Sequence, residues 1–225
     1  MDDLRKYVRK NKQRFIDYAF TGKNAIDPKM AIFMAGSPGS GKSESAKALA
    51  ELTSDLVIID ADIYREMMPG YNPGKASDFQ SAANLAVDIV FDAAVKGEYS
   101  FILDATFASS KSIENVRRAM KHKYSAILLV YVYQDPAVAW NFTKIREMYH
   151  DRNVPQKAFV SSCIESKKNY IQVLNDIEIN QNVQFMLIKK DYNNNIDKVI
   201  VDRETIDRYI NKMYNDVNLN DIIYD

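Results

Sequence analysis

Gly36-Ser37-Pro38-Gly39-Ser40-Gly41-Lys42-Ser43 lies between an apolar run, Met30 to Ala35, and a segment of helix formers that begins at Lys42. It fits the pattern Gly, four residues, Gly-Lys-Ser/Thr in the context that gives the pattern meaning, a strand before it and a helix after it. Glycine lets the backbone curl where side chains would block it. The curl turns successive N–H groups toward a phosphate at a helix N-terminus. In such a loop Lys42 reaches the β- and γ-phosphates, and the Ser43 hydroxyl is placed to ligate Mg²⁺. The loop through Glu44 is therefore assigned to the nucleotide, as Gly36, Ser37, Pro38, Gly39, Ser40, Gly41, Lys42, Ser43 and Glu44, with ATP and Mg²⁺ as the expected cofactors. The loop alone does not say where the phosphoryl group goes.

Outward from the loop, short apolar runs alternate with helical segments. Leu56 to Ile59, Phe101 to Leu103 and Ala126 to Tyr133 read as strands. Lys42 to about Leu52, Ser77 to Lys96, Ser110 to His122, Pro136 to about Tyr149 and a segment from Pro155 to about Ile177 read as helices. Asp3 to Phe20 reads as one charged amphipathic helix within an N-terminal segment 1–27. Val183 to Ile188 and Val199 to Val201 flank the Asn-rich turn Asn193 to Asn195 and read as a hairpin, and Glu204 to Tyr214 as a closing helix, so that 183–225 forms a C-terminal hairpin and helix. This alternation predicts an α/β fold, a mostly parallel central sheet flanked by helices, in a single domain over 1–225.

In open sheets of this class, ligands sit outside the carboxyl ends of the strands. Asp60, Asp62 and Asp104 fall there. Phosphoryl transfer to a hydroxyl needs a proton acceptor and acids that hold the metal. Asp62, two residues past a strand, is assigned as general base. Asp104 ends an apolar run and is assigned to the metal or the substrate. Asp60 reads equally as a helix cap. Arg146 and Arg152, before Val154-Pro155, form a lid whose guanidiniums suit the charge on a transferring phosphoryl group.

Composition narrows the classes. The chain has 225 residues, with 30 Lys and Arg against 30 Asp and Glu, and this balance argues against a dedicated nucleic-acid binder or a polybasic membrane binder. One cysteine, Cys163, and two histidines, His122 and His150, exclude a disulfide framework and argue against structural zinc. The N-terminus Met1 to Lys6 has no apolar core, and the longest apolar stretch, Ala126 to Tyr133, is far short of the ~20 residues that span a bilayer. A cytoplasmic protein is expected. Glycine is scarce, 7 in all, yet three fall within six positions of the loop.

Beyond the loop, the carrying stretches are Ile58-Ile59-Asp60-Ala61-Asp62-Ile63-Tyr64-Arg65, Met68-Pro69-Gly70-Tyr71, Ile102-Leu103-Asp104-Ala105-Thr106 and the Arg146 to Pro155 lid. Together these resemble the zeta-toxin family of phosphate-loop kinases over about Ile32 to Val160. The resemblance implies transfer of the ATP γ-phosphate to the sugar 3′-hydroxyl of UDP-N-acetylglucosamine, a toxin's activity, and a small antitoxin protein as partner. It implies Asp62 as base, Lys42 and Ser43 at ATP and Mg²⁺, and Arg146 and Arg152 at the transferred phosphate. It places Asp88, Asp104 and Thr106 at the sugar nucleotide, with Arg65 and Tyr71 assigned to the same acceptor side. Toxins of the family carry Glu where this chain has Asp88 and Asp104. Two kinases with other acceptors share the architecture and stay open on the residues alone: a polynucleotide 5′-hydroxyl kinase and a small-molecule, antibiotic phosphotransferase.

Overall fold

A computed structural model describes residues 2–51, 54–150, 153–214 and 219. In chain order the elements are α1 (Asp2–Lys10), α2 (Lys12–Phe20), β1 (Met30–Ala35), α3 (Lys42–Ala50), β2 (Val57–Asp60), α4 (Ala61–Glu66), a 3-10 turn (Pro73–Lys75) and α5 (Ala76–Lys96). There follow β3 (Phe101–Asp104), α6 (Lys111–Lys121), β4 (Ala126–Tyr133), α7 (Pro136–His150), α8 (Gln156–Asn175), α9 (Ile177–Asn180), β5 (Gln184–Lys190), β6 (Ile196–Ile200) and α10 (Arg203–Lys212).

Six strands form one sheet in the order β2-β3-β1-β4-β5-β6. All neighbours run parallel except β5 and β6, which close the edge as the expected antiparallel hairpin. The parallel strands are buried on both faces, so their sequences read as apolar runs. The residues still sort with period two. Ala31, Phe33, Ala35, Val57, Ile59, Phe101, Leu103, Leu129 and Tyr131 pack under α1, α2, α5, α6, α8 and α10. Ile32, Met34, Ile102, Val130, Val132 and Ile188 face the other way, against Ala46 of α3 and Leu56 just before β2. The cover is thus two-sided, as expected, but very unequal.

Two local expectations change. The single N-terminal helix divides at Asn11, which leaves helical geometry (φ −109°, ψ 25°) while its side-chain amide and its own N–H both donate to the Tyr7 carbonyl, at 2.8 and 2.9 Å. The stretch after Asp60 is not an open turn but the start of α4. Asp60 is its N-cap, accepting the Asp62 N–H at 2.9 Å, so the cap reading of Asp60 holds and Asp62 sits in the first helical turn.

Phe101 sits at the centre of the larger core with no exposure, edge-on to Phe33 and Phe91 at 5.6 and 5.3 Å and to Tyr124 at 5.4 Å. Phe101→Ala is expected to lower unfolding stability by about 3–5 kcal/mol, read from the denaturant midpoint.

Candidate functional site

The strand order turns at β1, where the chain goes first toward β2 and β3 and later to β4 and β5. The crevice at the carboxyl ends opens at such a point. A cavity of about 550 Å³ lies there. Its floor is the loop after β1, with Pro38, Gly39, Gly41, Lys42, Ser43 and Glu44. Asp60, Asp62 and Arg65 come from the end of β2 and α4; Asp104, Ala105 and Thr106 follow β3. Ser77, Gln80, Asn84 and Val87 of α5 form one wall. Thr143 and Arg146 of α7, with Asn153, Val154 and Pro155, form the other.

The loop is seated by close contacts. Gly39 has φ of +75°, and a Cβ there would lie 2.1 Å from the Ala139 carbonyl oxygen of α7. The first loop N–H, from Gly36, donates to Ser166 Oγ of α8 at 2.8 Å. Asn169, one turn further along α8, donates to the Phe107 carbonyl at 2.9 Å, holding the segment after Thr106. One helix therefore ties the nucleotide loop to the β3 loop.

The charged groups converge. Lys42 is 9% exposed and its ammonium donates to the Ser37 carbonyl at 2.6 Å. Ser43 lines the cavity with Asp104, which is also 9% exposed. Burial holds the Asp104 carboxyl above its ordinary pKa range, while the Lys42 charge and the Ser43 hydroxyl pull down and the Asp62 and Glu44 charges push up. Asp62 is clasped from two sides. Buried Arg65, one helical turn on, holds one carboxylate oxygen, and Arg146 stands 3.8 Å from the other. Arg65 also bonds the Gln80 side-chain oxygen, and Gln80 donates to Asn84 at 2.7 Å.

The cavity thus brings together Lys42, Ser43, Glu44, Asp62, Arg65, Asp104, Thr106 and Arg146. Of the residues assigned to the nucleotide, Gly36, Ser37 and Ser40 stand behind the lining, and two assigned to the acceptor lie elsewhere. Asp88 pairs with Lys111 at 3.0 Å, and Tyr71 packs edge-on against Phe79 at 5.3 Å; neither lines the cavity. Arg152 falls outside the described residues. Missing from the sequence reading were Ser77, Gln80 and Asn84. Their spacing of three and four is a helical face, but its polar character reads as solvated surface until the wall opposite is known. Trp140 packs edge-on against Phe159 at 5.1 Å in a small cluster with Ala139 and Cys163. Burial pushes the Cys163 thiol up to about 12, which leaves it inert. Arg117 and Arg118 on the basic helix are paired with Asp176 and Asp92.

Among the described residues, no cluster of three or more His, Cys, Asp and Glu side chains is placed to hold a metal. No helix among them is long and apolar enough to cross a membrane.

A family model described as Zeta toxin matches residues 17–205. Solved structures of similar fold include one from the PezAT chromosomal toxin–antitoxin system of Streptococcus pneumoniae, at TM-score 0.68 and 16% identity over 91% of this chain and 85% of that one. The AvrRxo1-ORF1:-ORF2 complex is similar at TM-score 0.65 and 12% identity, over 91% and 71% of the two chains. A putative kinase from Chloroflexus aurantiacus is similar at TM-score 0.53 and 13% identity, over 82% and 94%. No curated protein sequence matches the chain.

The raised Asp104 pKa has a sign that can be measured. A carboxyl harder to ionise in the folded state than in the unfolded one takes stability away as pH rises through the ordinary carboxylate range, about 4. In ligand-free protein, the melting temperature of Asp104→Asn minus that of wild type is expected to increase from pH 4 to pH 7. A difference that stays flat across this range would show that Asp104 is not held out of its ordinary range.

Proposed function

The chain belongs to the zeta-toxin family, and from that premise we propose that it is a kinase moving the γ-phosphate of ATP to a hydroxyl of a UDP-activated amino sugar. The observation that carries this reading is the placement of Asp62. Its carboxylate lines the same cavity as Lys42 and Ser43, clasped by Arg65 and facing Arg146.

The residues divide the work as follows. The loop N–H groups and Lys42 hold the phosphates. Asp62 accepts the proton of the acceptor hydroxyl as its oxygen forms the new bond to phosphorus, and the bond to the ADP oxygen breaks on the opposite side. Arg146 stabilises the charge that spreads over the transferring group, and Arg152 is assigned the same role. The Ser43 hydroxyl and the Asp104 carboxylate, both lining the cavity, are an all-oxygen donor pair of the kind Mg²⁺ takes when substrate phosphates complete its shell. They would hold Mg²⁺, which supplies charge neutralisation at the phosphate oxygens.

The acceptor side supports a sugar. The α5 wall presents the Ser77 hydroxyl and the Gln80 and Asn84 amides beside Val87, with no lysine or arginine of its own. Neutral amides suit hydroxyl and acetamido groups better than a polynucleotide backbone, which calls for a line of cations. Thr106 and Asp104 line the adjoining loop. The lid residues Asn153 to Pro155 would keep water from the γ-phosphate. Family membership and the likeness to toxin–antitoxin assemblies support a toxin role with a small protein antitoxin as partner. The cytoplasm, where both nucleotides occur, is the expected location.

The test is ADP release from ATP and Mg²⁺ with a panel of UDP-sugars, a 5′-hydroxyl oligonucleotide and aminoglycosides. Release is expected to depend on a UDP-amino sugar, and Asp62→Asn to lower kcat by about 10²–10⁴-fold. Near wild-type turnover of that variant would sink the base assignment. Release stimulated by the oligonucleotide and by no UDP-sugar would replace the acceptor.

A further inference from the structure

The two edges of the sheet are finished differently. At one edge β2 is four residues long and wholly or half buried, and Lys23 and Asn24, just past α2, bond to Ser54 and Asp55 ahead of it. At the other edge β6 is the last strand in the order, and four of its five residues are exposed. Its outer row of N–H and C=O groups faces no strand, and such a row is a template for another one.

The side chains along β6 are not those of a plain solvated strand. Val132 stands opposite Ile188 across the sheet, and Ile188 opposite Val199. The first two are buried on the α3 side, whereas Val199 is 48% exposed and Val201, two positions on, 67%. An apolar row therefore crosses three strands and runs out at the edge. On the opposite face Lys198 stands across from Lys189. Like charges directly opposite in an antiparallel pair repel. Lys189 is answered by Asp197 at 2.5 Å, but among the described residues Lys198 forms no ion pair. Four residues on, the exposed Asp202 caps α10, and hydrogen bonds from Thr205 hold its carboxyl below the usual carboxylate range, so it is charged at neutral pH.

These residues complement a copy of themselves. Two antiparallel strands related by a two-fold axis keep each face on its own side, so every register sets one residue opposite its own copy. Centred on Ile200, the pairing sets Val199 opposite the second copy's Val201 and Lys198 opposite the second copy's Asp202, each twice. Centred on Lys198, it sets lysine against lysine. Centred on Val199, it sets Lys198 against Ile200 and Asp197 against Val201. Charge and apolar pattern together select the first. A lysine on an edge ordinarily guards against strand addition; here the chain itself carries the acid that answers it.

We propose that β6 is the interface of a homodimer, in which two copies pair antiparallel about a two-fold axis through Ile200 and join their sheets into one. The strands of the second copy then run the opposite way, so the two cavities open at opposite ends of the joined sheet and neither is covered. Lys198, Val199, Val201 and Asp202 do not line the cavity, and the proposal depends on neither the nucleotide nor the acceptor.

Sedimentation equilibrium of the full chain tests it. Wild type at about 100 μM is expected to show the mass of two chains. Lys198→Glu sets acid against Asp202, and Asp202→Lys sets base against Lys198; each alone is expected to weaken the dimer by about tenfold or more. Mixed in equal amounts, the two variants restore both opposite-charge pairs, and the mixture is expected to regain the two-chain mass. Mixing does not repair a lost α10 cap, so this regain separates strand pairing from folding damage. Val199→Lys, at an exposed position, is expected to give the single-chain mass and serves as the second disruption should Asp202→Lys fail to fold. A single-chain mass for wild type overturns the proposal. So does a two-chain mass kept by Lys198→Glu and Val199→Lys, which places the contact on another surface, and so does a mixture of folded Lys198→Glu and Asp202→Lys that stays single-chain.

Discussion

The carbonyl oxygen of Ala139 stands where a side chain on Gly39 would have to go, 2.1 Å from the position of a Cβ. That approach fixes α7 against the nucleotide loop, and much of the site is positioned by it. Thr143, four residues on, would also meet a side chain on that glycine; Arg146, three further, turns to the same helical face and overlooks Asp62. Residues at these spacings share one side of a helix. The guanidinium and the loop are therefore set in register by one helix axis of about 10 Å. Asp135 steadies the start of that helix, accepting the Ala137 N–H at 3.0 Å and the Val138 N–H at 3.3 Å.

A second helix works from below. Through Ser166 and Asn169, α8 takes hold of the first residue of the nucleotide loop and of the segment after Thr106. Since α8 directly follows Pro155, the wall at Val154 and Pro155 and the anchors of the cavity floor belong to one continuous stretch of chain.

What could be read from the chain depended on whether the deciding force was local. The strands β1 and β4 matched their apolar runs to the residue, because burial on both faces leaves no polar position inside them. The loop was legible as a turn because its backbone takes positive φ at Gly36, Gly39 and Gly41, which glycine alone adopts freely. The break at Asn11 was missed because one residue leaving helical geometry does not interrupt the amphipathic pattern around it. The short helix α4 was missed because six residues carry too little periodicity, although Asp60 was weighed as a cap. The α5 wall was invisible for a different reason. Ser77, Gln80 and Asn84 look like solvated surface in one dimension, and become a wall only when α4 and α7 stand opposite.

The unequal cover of the sheet has a thermodynamic side. One face is roofed by α1, α2, α5, α6, α8 and α10, whereas α3 is the helix in the cluster on the other face, where Met30, Leu128 and Met186 remain only partly buried. The thinly covered face is where local opening should be least costly. Its helix begins at the nucleotide loop, so anything bound at Gly41 to Glu44 clamps the free end of that roof. Occupancy then protects the weakest layer of the molecule, and ligand concentration becomes a determinant of the chain's lifetime as well as of its turnover.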